Sequence, residues 1–470
     1  MEHKHTLLRA IRYGTLVVVV LFGTLAVVTL GYAFFDEPSV SAAHTSMSTT
    51  TSGATASTTT PDTVASAQAG IVHVSPPSSI RAIYMSQCAV GTPSFRASLV
   101  DMIEKGQLNA VVIDIKDYSG GISFPTEDPV LAPFVSKKCG ASDMQAFVAS
   151  LHAKGIYVIG RITTFQDPLY VKAHPEVAVK TLEGGVWENY GGLAFADAGA
   201  RPFWIYIAEL ARVSYRDIGF DEINFDYIRF PSDGNLADAD YTFDRGESKA
   251  QVLEEFFQYL DHELRPVAAS SAAEVDVSVE PVLSADMFGF ISSHTDDLGI
   301  GQVLERALPY FDFVDPMVYP SHYPKGFDGF ADVNAHPYDI VYSQLSSAVQ
   351  RTIATTTTVP SLAETPLQTE ASQTASSTKK VVQLYSKESY SPTKIRPWLQ
   401  SFDWPVPYAP DMVAAQIKAT TDAGISSYLF WDAANKYTSL KSVLGEQSLR
   451  SFYHIKSRTP DFCVTADNRA

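Results

Sequence analysis

The chain has 470 residues, 46% of them hydrophobic and 19% charged, with 35 Lys and Arg against 52 Asp and Glu for a formal charge of -17 and a pI near 5.0. That length supports one large domain or two ordinary ones with a full core. So acidic a balance excludes a partner held through clustered basic residues, as nucleic acids are, and leaves neutral and sugar-like ligands open.

Lys4, Arg9 and Arg12 precede "YGTLVVVVLFGTLAVVTLGYAFF", residues 13–35, which holds no charge over 23 positions. At the helical rise this run spans a bilayer core of roughly 30 Å. The basic flank predicts a single-pass signal anchor, with residues 1–12 as a cytoplasmic tail and the rest on the extracytoplasmic face of the cell membrane. A cleaved signal peptide is the alternative, but the run is long for one and no A-x-A site ends it. Residues 36–75 form a Ser/Thr-rich linker, with "STTTSGATASTTTPDT" at its centre, too poor in apolar groups to offset its ordering entropy. A second biased run, residues 354–380, reads as a surface insertion, and residues 459–470 as a C-terminal tail. Cys88, Cys139 and Cys463 allow one disulfide in any of three pairings, and their spacing gives no metal-ligand pattern.

Between residues 79 and 458, short apolar runs alternate with longer amphipathic ones, the pattern of a parallel sheet covered by helices. The strand candidates are 79–87, 109–117, 155–163, 221–230, 281–290, 311–320, 397–404 and 426–433, eight in all. Helical stretches separate them, several ending in Gly just before the next strand. Eight such units predict a (β/α)8 TIM barrel; a doubly wound open sheet is the runner-up, but no G-x-G-x-x-G follows the first strand.

In such a barrel the site is built from the C-terminal ends of the strands. Within "FDEINFDYIRFP" (220–231), alternation puts Glu222, Asn224 and Asp226 on one polar face, which should point inward with Asp226 nearest the mouth and Glu222 deepest. Cleavage of a glycosidic bond needs two carboxyl groups, one as nucleophile or base and one as proton donor. Asp226 and Asp286, ending the fourth and fifth strands, are the chosen pair; Asp117, Asp315 and Glu280 are rivals for the second place, with Asp315 too deep and Glu280 at the wrong end. Lys116, Asp117, Arg161, Asn224, Arg229, Tyr319, His322 and Trp431 are the expected substrate contacts, the charged groups by hydrogen bonding or by holding a neighbouring carboxylate ionised and the rings by stacking on sugar faces. No second His stands at ligand spacing, and no H-E-x-x-H, G-x-S-x-G or P-loop occurs, so no metal or cofactor is expected.

The segments "VVIDIKDYSGGISF", "GIYVIGRITTFQDPLY", "FDEINFDYIRFPSDG", "SADMFG", "DPMVYPSHY" and "PWLQSFDW" together resemble the putative glycoside hydrolase family formerly catalogued as domain of unknown function 4015, over most of residues 80–435. The resemblance implies a TIM barrel related to the α-amylase-like hydrolases, in which an Asp ending the fourth strand is the nucleophile and the next strand supplies the acid/base; Asp226 and Asp286 stand at those places. Two departures count against a simple transfer: Asn224 stands where that group expects Arg, and Asp286 where it expects Glu. The strand also resembles the chitinase pattern D-G-x-D-x-D-x-E, but Ile228 occupies the place of the catalytic Glu. The expected activity is cleavage of a polysaccharide or cell-envelope glycan. A non-catalytic carbohydrate-binding barrel is the alternative, and a lyase or deacetylase-like enzyme using Lys116 or His322 a third reading.

Overall fold

The computed structural model describes residues 71–243, 245–265, 280–360 and 382–445. The anchor at 13–35, most of the linker and of the 354–380 insertion, the C-terminal tail and Cys463 lie outside the described residues. Among the described residues no helix is long and apolar enough to cross a membrane.

All eight anticipated strands form, as β1 (Arg81–Met85), β2 (Ala110–Lys116), β3 (Tyr157–Thr163), β4 (Glu222–Asp226), β5 (Val282–Phe288), β6 (Phe313–Met317), β7 (Trp398–Gln400) and β8 (Tyr428–Trp431). They pair in parallel, each with its neighbour in sequence, and β1 closes the ring on β8. Strands buried on both faces need near-continuous apolar runs, and β2, "AVVIDIK", is buried throughout. The helices that follow are α1 (Pro93–Lys105), α2 (Met144–His152), α3 (Arg201–Val213), α4 (Lys249–Leu264), α5 (Leu304–Ala307), α6 (Pro337–Ile353), α7 (Pro410–Asp422) and α8 (Thr438–Leu444). Their starts are written locally: proline stands in the first turn of α1, α3, α6 and α7, where its missing N–H costs nothing. Ser248 and Gln251 form a reciprocal capping box on α4. Gly219, at φ 96°, then turns the chain from the end of α3 into β4.

Two boundaries differ from the sequence reading. The fourth strand stops at Asp226 rather than at residue 230, because Tyr227 takes a left-handed conformation at φ 48° and turns the chain away from the ladder. The helical stretch between the fifth and sixth strands, α5, is one turn long, since Gly299 and Gly301 adopt positive φ in the loop before it. Cys88 is bonded to Cys139, which fastens the helical turn Gln87–Val90 after β1 to the loop before α2. The ends of the 354–380 insertion continue an antiparallel pair, Thr356–Pro360 with Val382–Ser386, outside the barrel.

Candidate active site

Alternation along the strands fills the lumen with two tiers of charge. The lower tier is Arg396, just ahead of β7, clamped between Glu222 and Asp315. Its Nη2 donates to Glu222 Oε1 at 2.5 Å and to Asp315 Oδ2 at 2.6 Å, and its Nε donates to Asp315 Oδ1 at 3.0 Å. Tyr157 and Ser284 donate further hydrogen bonds to Glu222. All three charged groups are fully buried and form the floor of the lumen, while in the tier above Asp286 is 1% and Asp226 6% exposed.

The upper tier is organised by Arg161 of β3. Its Nη1 donates to Asp114 Oδ1 at 2.6 Å, its Nη2 and Nε to Asp226 Oδ2 at 2.5 and 3.1 Å, and Nε also lies 3.8 Å from Asp286 Oδ2. One cation therefore faces three carboxyl groups. Two uncompensated negative charges in a site this dry are too costly, and the cluster retains protons instead. Burial together with the charges of Asp226 and Asp315 pushes the Asp286 carboxyl well above the usual carboxylate range. Asp114 is pushed up to about 6, again by burial, against the opposing pull of Arg161 and the Tyr84 hydroxyl.

The hydrogen bonds divide the labour between Asp226 and Asp286. Asp226 receives N–H groups from Arg161 on Oδ2 and from its own successor Tyr227 on Oδ1 at 2.5 Å, the pattern that suits an anion. Asp286 Oδ1 accepts from Trp398 Nε1 at 2.6 Å and Asn224 Nδ2 at 2.9 Å. Asp286 Oδ2 has no donor within hydrogen-bonding distance among the described residues, which makes it the oxygen free to carry a proton. Around the pair stand flat rings: Trp431 stacks on Tyr84 at 4.0 Å and lies 5.0 Å from the Arg161 guanidinium, with Trp398 edge-on to it and Tyr319 in the same cluster.

Of the residues singled out from sequence, Asp226, Asp286, Arg161, Asn224 and Trp431 meet here. Tyr319 lies beside them in edge contact with His322 and Phe402, and His322 is an exposed rim residue near Trp404. Arg229 sits between the Tyr227 and Phe288 rings at the ends of β4 and β5. Two residues do not reach the lumen. Lys116 is fully buried in an ion pair with Asp167 at 2.5 Å beneath Phe203 and Tyr206 of α3, because a register shift between Asp114 and Lys116 turns it to the helix layer. Asp117 caps its own loop by accepting from the Ser119 amide and hydroxyl.

Sequence reasoning passed over Asp114, Tyr84, Trp398 and Arg396. Asp114 was legible, since it continues the inward series Ala110, Val112 along β2. Among the described residues no group of three or more His, Cys, Asp or Glu is arranged to hold a metal ion.

A family described as "Putative glycosyl hydrolase domain" matches residues 82–364 and 355–437. No curated protein matches. Among solved structures, a hypothetical protein from Ruminiclostridium thermocellum ATCC 27405 is 30% identical over 43% of this chain and 96% of its own, with a TM-score of 0.37. An α-galactosidase from Thermus thermophilus is 10% identical over 81% of this chain and 63% of its own, TM-score 0.45. A cycloalternan-degrading enzyme from Trueperella pyogenes is 13% identical over 78% and 45%, TM-score 0.44. The chain thus spans less than two thirds of either enzyme, and the family match alone carries the assignment.

Proposed function

The chain belongs to the glycosyl hydrolase family matched above, and from that premise we propose that it hydrolyses O-glycosidic bonds of a polysaccharide or cell-envelope glycan, with Asp226 as nucleophile and Asp286 as acid and base. The observation that carries this reading is the sharing of Arg161 by the two carboxyl groups. Asp226 Oδ2 and Asp286 Oδ2 lie 3.1 and 3.8 Å from the same Nε, so they stand no farther apart than the sum of those distances. Retaining pairs are about 5 to 5.5 Å apart and inverting pairs about 6.5 to 9.5 Å, so the bound takes in the whole retaining spacing and only the shortest inverting ones.

The chemistry follows from the charges. Asp226 attacks the anomeric carbon while Asp286 gives its proton to the departing glycosidic oxygen, which leaves a glycosyl ester on Asp226 and a negative charge on Asp286. Charge has moved from one partner of Arg161 to the other, so the guanidinium stays compensated throughout and need not reorganise. Water then gives its proton to Asp286 and its oxygen to the anomeric carbon, which frees Asp226. The partly exposed ring of Trp431 supplies stacking surface for the sugar, backed by the buried Tyr319.

Because Asp286 must be protonated to act as the acid, activity is lost as pH rises through its pKa. Burial and its two carboxylate neighbours raise that pKa, so the basic limb of kcat/KM is expected well above the ordinary carboxylate range. Asp286→Asn should lower turnover of an unactivated glycan by about 10²- to 10⁴-fold. It should also flatten that limb and spare the bond-breaking step of dinitrophenyl glycosides, whose leaving group needs no proton. Equal losses on activated and unactivated substrates would remove Asp286 from the acid role.

We extend the proposal to location: residues 13–35 anchor the chain, and the barrel works on the extracytoplasmic face. The full chain is then expected in an alkali-washed membrane pellet, with its barrel digested by protease added from outside. Recovery in the soluble fraction at full length, or protection from that protease, argues against it.

A further inference from the structure

Arg229 is 7% exposed, yet it enters no ion pair among the described residues. Its Nη1 donates to the Phe230 carbonyl at 3.0 Å, and its other guanidinium nitrogens find no acceptor there. Tyr227 and Phe288 clamp the guanidinium, each ring centroid 4.8 Å from its central carbon. That contact fixes the plane of the group and leaves its hydrogen-bonding edge free. Asp226 and Asp233 lie within electrostatic reach of it, neither close enough to pair.

A buried guanidinium without a carboxylate partner is costly, and simple packing between two rings does not require a charge. Its position is informative. Tyr227 directly follows Asp226, and Phe288 lies two residues beyond Asp286 on the inward series of β5, so Arg229 stands at the mouth between the two strands that carry the proposed catalytic pair. Arg161 is already committed to three carboxyl groups. An anionic sugar brought up to Asp226 would need a further counter-charge, and Arg229 is placed to give one in the forked geometry that fits a carboxylate.

We propose that Arg229 selects a glycan whose sugar unit beside the scissile bond bears a carboxylate, as in a uronic acid. This rests on the glycosidase reading for the place of the scissile bond but concerns binding, so the two can fail separately. The net charge of -17 gives no general attraction for polyanions, and any preference must be local.

The test compares alginate, polygalacturonate and hyaluronan, each against its carboxyl-reduced form, for equilibrium binding to the Asp226→Asn protein and for release of reducing ends by the unaltered chain. At least one carboxylated form is expected to bind about 10- to 100-fold more tightly than its reduced counterpart, the worth of a charge-assisted hydrogen-bonded pair. Arg229→Gln in the same background should abolish that difference while leaving affinity for the reduced form unchanged. Where circular dichroism shows that this variant does not fold, Arg229→Lys replaces it and should reduce the preference. Equal binding of both forms, no binding of any carboxylated glycan, or a preference that survives in the folded Arg229→Gln protein overturns the proposal. A preference without release of reducing ends leaves the anion site standing and counts against hydrolysis instead.

Discussion

Asp226→Ala is expected to lower hydrolysis of an unactivated glycan by about 10⁴-fold or more, the usual scale for loss of a residue that forms the covalent intermediate. The fold should survive. Asp226 closes the upper tier from the solvent side, and without it Arg161 keeps its 2.6 Å pair with Asp114 and its approach to Asp286. Loss of rate alone would not separate a nucleophile from a residue that merely positions Arg161, so the decisive measurement is chemical rescue. The alanine variant leaves a space beside the anomeric carbon, and added azide should restore turnover of an activated glycoside while yielding the glycosyl azide of inverted configuration. Asp226→Asn, which keeps the size of the side chain, should bind oligosaccharide as tightly as the unaltered protein. Azide without effect on Asp226→Ala, or a normal rate for Asp226→Asn, would end the nucleophile assignment.

How far this site could be read from sequence depended on which residues obey strand alternation. Glu222, Asn224 and Asp226 sit in a regular five-residue strand, and their inward face and order of depth follow from period two alone. Asp286 follows in the same way from Ser284 along β5. The rule fails where the ladder slips. In β2 the register shift between Asp114 and Lys116 transfers the functional position from the conspicuous end of "DIKD", Lys116 and Asp117, to its first acid, Asp114, and only pairing with β3 reveals the slip. Arg396 escaped notice for another reason: it precedes Pro397 at what reads as the entrance of a strand, whereas the parallel contact of Ile395 with Val314 already draws that segment into the barrel. Arg229 was legible as a charge near the mouth, but its lack of a partner is a three-dimensional fact, set by the left-handed turn at Tyr227.

The lower tier carries the largest expected effect on stability. Replacing Arg396 with Met leaves Glu222 and Asp315 facing each other in a fully buried floor without a cation, and such an uncompensated charge costs about 3 to 5 kcal/mol. The floor is protonation-dependent even when intact. Burial pushes Asp315 from 3.8 up to about 7, despite the pull of Arg396. The folded state therefore holds a proton that the unfolded chain releases near 3.8, so this group's stabilisation is complete below that value and is lost as pH rises through about 7. Arg396→Met removes the largest influence opposing that shift, so the variant's deficit in urea unfolding should be greatest at pH 8 and shrink as pH falls toward 5, where Asp315 can be neutral. Asp315→Asn in the Arg396→Met background should recover part of the loss at pH 8 and reduce the pH slope, because one of the two stranded charges is gone. If Arg396→Met unfolds at the same urea concentration as the unaltered protein at pH 8, the guanidinium is not what holds those two acids together, and the tier of charge beneath Asp226 would have to be stabilised by the Tyr157, Ser284 and Asn224 hydrogen bonds alone.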